Sequence, residues 1–504
     1  MVTDRSDLRG FFYPESIAIF GVSTGAYRFG GQSFLSKLIE CGFPGRIYPI
    51  HPKADEIRGI KAYPDLRSLP EVPDLALVCL AAKSVPEVLK SCGQMGVKFI
   101  HILSSGFRET GTAEGLALED QVLSISEENG LLVVGPNCMG PYCPSSNLTL
   151  WGAIPGMSGP LGVISQSGNM TQRLTEYAYS LGLGVDKAVS FGNGTVLDGV
   201  DFLEFMAGED GIHLIALYLE SIRDGRQFFE LAREVNHKKP VILWKGGESE
   251  AGARTAASHT GAMSGEEKIW EAFFRQTGVI RVRSMNEWID TLMALALLPG
   301  PEGNGVFLIG GGGGNSVTQS DACIRVGLEV PRLSEATMDY LRSTVPTAGS
   351  IAGNPLDMFR AFQDAAYLGE ILDLAYKDPS VSMVIIDRII PRKAFHLPDL
   401  PDSTPAIIKF LKARPDRKPT VFVVDSEGGD PELALAGLAM RSRFCLAGIP
   451  AYPSLQRAAR ALHHLSRYHA GRQKTRAPKI NMIGSDFTFR EKQGKDFGSK
   501  STVP

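Results

Sequence analysis

Along most of the chain, short apolar runs alternate with segments in which apolar positions return every three or four residues. Ser16–Gly21 (SIAIFG) is the first such run. It is too short for a helix, lacks polar interruptions and closes on glycine, which predicts a strand buried on both faces of a parallel sheet. A helical pattern follows through Leu35, Leu38 and Ile39. Further strands are predicted at Arg46–Ile50, Leu75–Leu80, Val97–Leu103 and Leu131–Val134, with helices at Val85–Met95 and Glu114–Asn129. Such alternation over residues 1–150 implies an α/β unit with a doubly wound parallel sheet.

The pattern then begins again twice. In residues 151–298, strand Leu161–Ser165 leads through the turn Gln166–Asn169 into helix Met170–Leu181. Ile212–Leu219 and Val241–Trp244 are further buried strands, and helix Glu266–Gly278 precedes a short strand at Val279–Val282. A Pro/Gly-rich linker, LLPGPEGN (297–304), introduces a third unit over 299–468. There, strand Val306–Ile309, loop Gly310–Asn315 and helix Ser316–Val326 repeat the opening of the second unit without repeating its sequence. Strands Val381–Ile386 and Thr420–Val424 and helix Leu455–Tyr468 complete it. The tail 469–504 is polar, charged and aperiodic, and is expected to be disordered or to dock a partner.

Composition narrows the class. Hydrophobic residues make up 43% and charged residues 21% of 504, the balance of a folded globular protein. A net charge of -3, from 52 basic and 55 acidic side chains, gives no global attraction to nucleic acid or to anionic membrane. No apolar run approaches the roughly 18 residues of a membrane span, and the N-terminus has no signal-peptide pattern. Seven scattered cysteines without a Cys-x-x-Cys suit buried thiols in a cytoplasmic protein, and no metal site is expected.

Fifty-five glycines, many clustered after apolar runs, direct attention to the strand-to-helix turns. Gly21-Val22-Ser23-Thr24-Gly25 follows the first strand and Gly30-Gly31 opens the first helix. Amide N–H groups at such a helix start suit a phosphate. A strict G-x-G-x-x-G is absent, and a plain glycine turn accounts for the pattern equally well. Ser165-Gln166-Ser167-Gly168-Asn169 is a second turn of this kind, read either as an anion site or as a serine cap. Gly310–Gly314 with Asn315-Ser316 is the third. Five consecutive glycines are costly in backbone entropy, which favours close approach to a ligand or partner loop over a bare turn.

Among nine histidines, His259 has the most distinctive surroundings, KGGESEAGARTAASHTGAMSG. The stretch is poor in bulky apolar residues and joins a strand to a helix, which predicts a flexible surface loop. An imidazole there is a competent nucleophile toward a phosphoryl group. Glu220 ends the strand IALYLE, at the sheet edge where α/β proteins hold their sites, and is a candidate to orient His259. A solvated strand end is the alternative for Glu220.

Several segments together resemble the NDP-forming (ADP-forming) acyl-CoA synthetases, a family related to succinyl-CoA synthetase. FFYPESIAIFGVS, ILSSGFRETG (102–111) and GPNCMG (135–140) are similar to its CoA-binding domain. GVISQSGNM (162–170), LYLESIRDGRQF (217–228) and SHTGAMSG (258–265) are similar to its second domain. NPLD (354–357) and GIPAYPSLQRAARAL (448–462) are similar to its third. The resemblance covers about Leu8 to Leu465.

It implies a Rossmann-like CoA-binding domain followed by two flavodoxin-like domains of the succinyl-CoA ligase type. Coenzyme A would be held by Gly21, Ser23, Thr24, Arg28, Lys53, Ser105, Gly106, Pro136 and Asn137. His259 would carry the phosphoryl group and Glu220 would steady it. The turns Ser165, Gln166, Ser167, Gly168 and Gly312, Gly313, Gly314, Asn315 would dock the phosphohistidine. The nucleotide (NDP or NTP, with Mg2+) would belong to an ATP-grasp domain absent from this sequence. The chain would therefore be an α-type subunit with a separate β-type partner, in an α2β2 assembly or a homo-oligomer, acting on CoA and a small carboxylic acid. His51-Pro52-Lys53 stands where the family commonly has Asn-Pro-Lys, and Gly192-Asn193-Gly194 lacks a lysine often found after the asparagine. Two other classes compete with a ligase subunit. One is a non-catalytic CoA-binding regulatory protein, the other a nicotinamide-dependent oxidoreductase.

Overall fold

The computed structural model describes residues 5–25, 30–151, 157–252, 254, 266–310, 312–346, 350–358, 364–388, 402–426 and 430–474. The first sheet contains β1 (Ser16–Phe20) and β2 (Arg46–Ile50). A two-stranded hairpin, β3 (Glu56–Ile57) and β4 (Ile60–Lys61), interrupts the chain before β5 (Leu75–Val78), β6 (Phe99–Ile102) and β7 (Leu132–Val134). The order is β2-β1-β5-β6-β7, parallel throughout. Every residue of β1, β5 and β6 is buried, as their uninterrupted apolar runs require.

The second sheet is built from β8 (Gly140–Cys143), β9 (Leu148–Thr149), β10 (Leu161–Ser165), β11 (Val185–Ser190), β12 (Leu214–Leu219), β13 (Val241–Lys245) and β14 (Ile280–Val282). Its order is β14-β13-β12-β10-β11-β8-β9. Strands β10 to β14 are mutually parallel, whereas β8 pairs antiparallel with β11 and β9 antiparallel with β8. Residues 140–149, assigned to the first domain from sequence, thus belong to the second sheet. They cover the β11 edge, which would otherwise present unpaired backbone groups.

The third sheet has β15 (Val306–Gly310), β16 (Leu356–Asp357), β17 (Met383–Asp387), β18 (Thr420–Val423) and β19 (Ala451–Tyr452), in the parallel order β16-β15-β17-β18-β19. Counting only the parallel strands of each sheet, all three share the order 2-1-3-4-5. Each therefore reverses its winding beside its first strand, at β1/β5, β10/β12 and β15/β17. The crevice outside the carboxyl ends of such a pair is where doubly wound sheets bind ligands.

The helices after the second and third glycine or serine turns begin two and three residues earlier than the sequence pattern places them. Helix Gly168–Ser180 starts at the glycine turn, with the Ser167 hydroxyl accepting from the Met170 N–H. Helix Gly313–Arg325 starts within the glycine run, after Gly312 at φ 103°. The last helix runs from Leu455 to Lys474, beyond the Tyr468 boundary drawn from sequence. Arg472 explains the extension, since its buried guanidinium donates to the Tyr468 hydroxyl (2.9 Å) and to the Lys238 carbonyl (3.3 Å). The rest of the tail, 475–504, lies outside the described residues. Among those residues no helix is long and apolar enough to cross a membrane.

The domains share their cores. Phe11 and Phe12 of the first domain pack on Phe202 and Phe205 of the second, with Phe12 stacked on Phe205 at 5.5 Å. Between the second and third domains, helix Met285–Leu297 lies against helix Leu455–Lys474. There the buried Asp290 carboxylate takes two hydrogen bonds from Arg457 (2.6 and 2.7 Å), and its backbone carbonyl takes one from the Tyr452 hydroxyl. Removing one partner of a buried bidentate pair leaves the other charge uncompensated. Asp290→Ala is therefore expected to destabilise the protein by about 3–5 kcal/mol in urea unfolding. A change within about 0.5 kcal/mol, the scale of a surface substitution, would show that the pair does not hold the two domains.

Candidate functional site

At the β1/β5 switch point the chain leaves β1 through Gly21, at φ 81°, and a Cβ there would lie 2.2 Å from the Cys79 carbonyl oxygen. Only glycine fits this approach. Beyond it the Ser23 hydroxyl is buried without a hydrogen-bond partner among the described residues, while Thr24 and Gly25 are exposed. An orphaned hydroxyl beside an open glycine turn fits a phosphate-bearing ligand such as coenzyme A. Arg28 lies outside the described residues. Lys53 is exposed at the end of the neighbouring strand. His51 shapes that turn, its Nδ1 accepting from the backbone N–H groups of Lys53 (3.2 Å) and Ala54 (2.9 Å). An asparagine side-chain oxygen could accept the same bonds, so histidine at this position preserves the turn.

The other first-domain candidates form a junction with the second domain. Asn137, at φ 60°, donates its backbone N–H to the Ser104 carbonyl (2.9 Å), placing the GPN turn against Ser104-Ser105-Gly106. The N–H groups of Gly106 and Phe107 donate to Glu109 Oε1 at 2.6 and 3.2 Å. Asn193 of the second domain ties these pieces together. Its N–H donates to the Pro136 carbonyl, and its side-chain nitrogen donates to Glu109 Oε2 (2.7 Å) and Glu119 Oε2 (2.8 Å). Arg108 holds Glu119 from the other side, through its N–H and Nε.

The densest arrangement is at the β10/β12 switch point. Ser165 and Gln166 leave β10 there, and Glu220 and Ser221 leave β12. The Gln166 side-chain oxygen accepts the backbone N–H groups of Glu220 and of Ser221 (2.9 Å), and its nitrogen donates to the Ser221 hydroxyl (3.1 Å). Ser165 Oγ accepts the Ser167 N–H at 3.0 Å and donates to the Ser167 carbonyl, setting the turn from which helix Gly168–Ser180 springs. That places the positive end of a helix dipole at the crevice.

Glu220 is buried, with its carboxylate close enough to the Tyr218 phenol to act on it electrostatically. Burial first, and then that carboxylate, push the Tyr218 phenol up from its ordinary range. A narrow cleft adjoins, lined by Gln166 and Ser221, by Phe191, Leu219, Ile222 and Phe228, and by Asn193 and Arg223. Arg223 is engaged by Asp198 (2.9 Å) and by the carbonyls of Thr195 and Val196.

His259 lies outside the described residues. Its loop leaves from β13, the neighbour of β12, through Lys245 and Gly246, whose N–H donates to the Leu219 carbonyl at 2.9 Å. The loop therefore starts beside Glu220. Sequence reasoning did not single out Tyr218, Lys245 or the bridging role of Gln166. A lysine closing the apolar run VILWK was the available signal for Lys245.

At the β15/β17 switch point, Gly312, Gly313, Gly314 and Asn315 are exposed at the start of helix Gly313–Arg325. Here a carboxylate of the chain already takes one turn amide, since the Gly312 N–H donates to Asp357 Oδ1 at 2.7 Å. Across the crevice Gln319 donates to Asp387. Asp357 belongs to the NPLD segment, whose Asn354 satisfies Leu308, Val306 and Pro331 backbone groups. The structure thus joins the Ser165–Gly168 turn to Glu220 in one crevice, while Gly312–Asn315 lies at the edge of a different sheet.

Three doubly wound sheets, with glycine or serine turns at their switch points and a buried glutamate in the second, define an α/β protein built to hold phosphate-bearing ligands. Comparison with known proteins agrees. Residues 15–144 match a CoA binding domain and residues 158–295 a succinyl-CoA ligase like flavodoxin domain. The chain is 34% identical over 477 residues to the Acetate–CoA ligase [ADP-forming] I subunit alpha of Pyrococcus furiosus, covering 93% of this chain and 99% of that one. It is also 34% identical over 376 residues to the Acetate–CoA ligase [ADP-forming] I of Archaeoglobus fulgidus, covering 74% of this chain but only 54% of that one. Among solved structures, the dinucleotide forming Acetyl-coenzyme A synthetase 1 of Ca. Korarchaeum cryptofilum, in complex with phosphate and ADP, superposes with a TM-score of 0.82 at 30% identity, over 93% of this chain and 99% of that one. The chain belongs to the ADP-forming acyl-CoA ligase family.

Gln166 is the testable centre of this geometry. Gln166→Met retains the volume but leaves the N–H groups of Glu220 and Ser221 without their acceptor. A loss of about 1–3 kcal/mol is expected in chemical denaturation, together with faster amide exchange at Glu220 and Ser221. Unchanged exchange at those two amides would mean that the bridge does not fix the strand end.

Proposed function

We propose that this chain is the α-type subunit of an NDP-forming acyl-CoA synthetase that works through a phosphohistidine at His259. Inorganic phosphate attacks the thioester carbonyl of an acyl-CoA. The C–S bond breaks, releasing the CoA thiol and an acyl phosphate. The His259 imidazole then attacks that phosphorus, the P–O bond to the acyl group breaks, and the free carboxylate departs. The phosphoryl group finally passes from His259 to an NDP, giving NTP and restoring the imidazole. The reverse sequence activates the free acid.

The observation that carries this reading is the position of Glu220. It is a buried carboxylate at the β10/β12 switch point, between the N-terminus of helix Gly168–Ser180 and the root of the His259 loop. A carboxylate there steadies the imidazole and its positive charge during transfer, while the helix N-terminus favours the incoming phosphate. The Ser23 hydroxyl and the Gly21–Gly25 turn would hold a phosphate of CoA, with Gly106 and Asn137 at the adjoining turns. The acyl group would enter the cleft beside Ser221, where Phe191, Leu219, Ile222 and Phe228 offer an apolar wall. The nucleotide and its Mg2+ would be held by a separate ATP-grasp chain. In support, the Pyrococcus furiosus relative is named as a subunit alpha.

The test is acid-labile phosphorylation of the purified chain by inorganic phosphate with a panel of acyl-CoAs, read by intact mass. His259→Ala is expected to fold normally and to carry no phosphate. Label retained in that variant would remove His259 from the reaction. Glu220→Gln is expected to lower the phosphorylation rate by about 100-fold, within the usual range for a positioned acid–base group, while binding CoA normally. Near-normal turnover of this variant would reduce Glu220 to a strand end.

A further inference from the structure

Lys245 closes β13 after four buried or half-buried apolar residues, and is itself only 2% exposed. An ammonium group so far from water is costly unless oxygen atoms replace its hydration. Two do. Lys245 Nζ donates to the backbone carbonyl of Glu220 at 2.8 Å and to that of Gly246. The ammonium also lies 5.4 Å from the centre of the Trp270 ring, within cation–π range. Burial pulls its pKa down, while the Glu248 and Glu220 carboxylates push it back up.

The two carbonyls belong to different functional pieces. One is the residue that carries the candidate carboxylate. The other is the first residue of the segment leading to His259. Gly246 is further confined, because a Cβ there would lie 2.6 Å from the Tyr218 hydroxyl and 3.3 Å from Glu220 Cγ. Gly247 follows at φ 73°, where the chain turns away. A leucine or methionine would fill the same volume without a desolvation cost, so packing alone does not account for a lysine here.

We propose that Lys245 is a positioning residue for phosphoryl transfer. It fixes the Glu220 strand end and the root of the histidine loop to each other through their backbone carbonyls, and sets a positive charge beside Glu220. The inference rests on the roles given above to Glu220 and His259. A charge held in a buried, pre-organised site acts more strongly than one in water and needs no reorganisation as the reaction proceeds.

The experiment uses the full chain, with acetyl phosphate as phosphoryl donor and His259→Ala as control. Lys245→Met is compared with wild type in three measurements: the rate of His259 phosphorylation, the affinity for CoA, and tryptic cleavage after Arg254. The expected result is a fall in phosphorylation rate of about 100-fold, the scale for a misplacement of about 1 Å. CoA affinity should stay within about threefold, under 1 kcal/mol, and cleavage should be faster. Should Lys245→Met fail to fold, Lys245→Gln, which retains two N–H donors, takes its place with the same expectation in smaller measure.

A folded variant that phosphorylates His259 at the wild-type rate overturns the proposal. So does an equal loss of CoA affinity and phosphorylation, which would mark a structural role only. If wild type itself takes no phosphate, the proposed reaction fails, and proteolysis decides the rest. Faster cleavage of the variant would still support Lys245 as the anchor of the loop root, and unchanged cleavage would overturn that as well.

Discussion

The side-chain amide of Gln166 closes the gap where the two halves of the second sheet part. At a switch point the adjacent strands feed helices on opposite faces, so the backbone groups just beyond their ends lose the ladder that would have paired them. A buried N–H left this way costs about as much as a lost hydrogen bond. Gln166 accepts both N–H groups of the departing β12 strand, and its nitrogen holds the Ser221 hydroxyl. That bridge sets the backbone from which Glu220 projects and supplies part of the wall of the adjoining cleft. The other two sheets meet the same constraint differently. In the first, Gly21 brings the two strand ends together by having no side chain, which leaves the Ser23 hydroxyl open to a ligand. In the third, Asp357 accepts the first amide of the glycine run, and Gln319 with Asp387 spans the crevice.

The crevices of the first and second sheets are not independent. Asn193 reaches from the second domain into two turns of the first, and its side-chain nitrogen serves two carboxylates. One of these, Glu109, also accepts the Gly106 and Phe107 N–H groups, in the turn the family resemblance assigns to CoA. A ligand that settles on that turn therefore acts on groups wired directly to the wall of the second crevice. The connection consists of direct side-chain hydrogen bonds, with Asn193 and Glu109 as its two ends.

Much of this architecture was legible in the sequence because a buried parallel strand is a local signal. SIAIF, LALV and LVV state their burial without reference to any neighbour, and the glycine or serine turns after them state where the helices begin. What escaped was non-local. β11 (VDKAVS) carries a lysine and an aspartate, so its run looks half-polar. Only the fold shows Lys187 neutralised between Asp186 and Glu209, at 2.6 Å each. β8 contains Pro141 and pairs antiparallel, which no pattern in GPYC announces. Asn193 was noted for a missing neighbour, but its partners lie 84 and 74 residues away. Lys245 was hidden by its position at the end of an apolar run, where a lysine reads as the first solvated residue.

The division of charge between the crevices bears on how a phosphoryl carrier could work here. In the third sheet the first turn amide is already taken by Asp357, so that carboxylate opposes an approaching dianion even as the exposed helix start attracts it. In the second sheet the chain places a buried lysine beside its glutamate, with the ammonium on the Glu220 backbone carbonyl and within the field of the Glu248 and Glu220 carboxylates. The two glycine-bearing turns look alike in sequence, yet different side chains face them: Asp357 takes the first amide of one, with the buried Arg388 at the end of the adjacent strand, whereas the hydroxyls of Ser165 and Ser167 and the amide of Gln166 set the other.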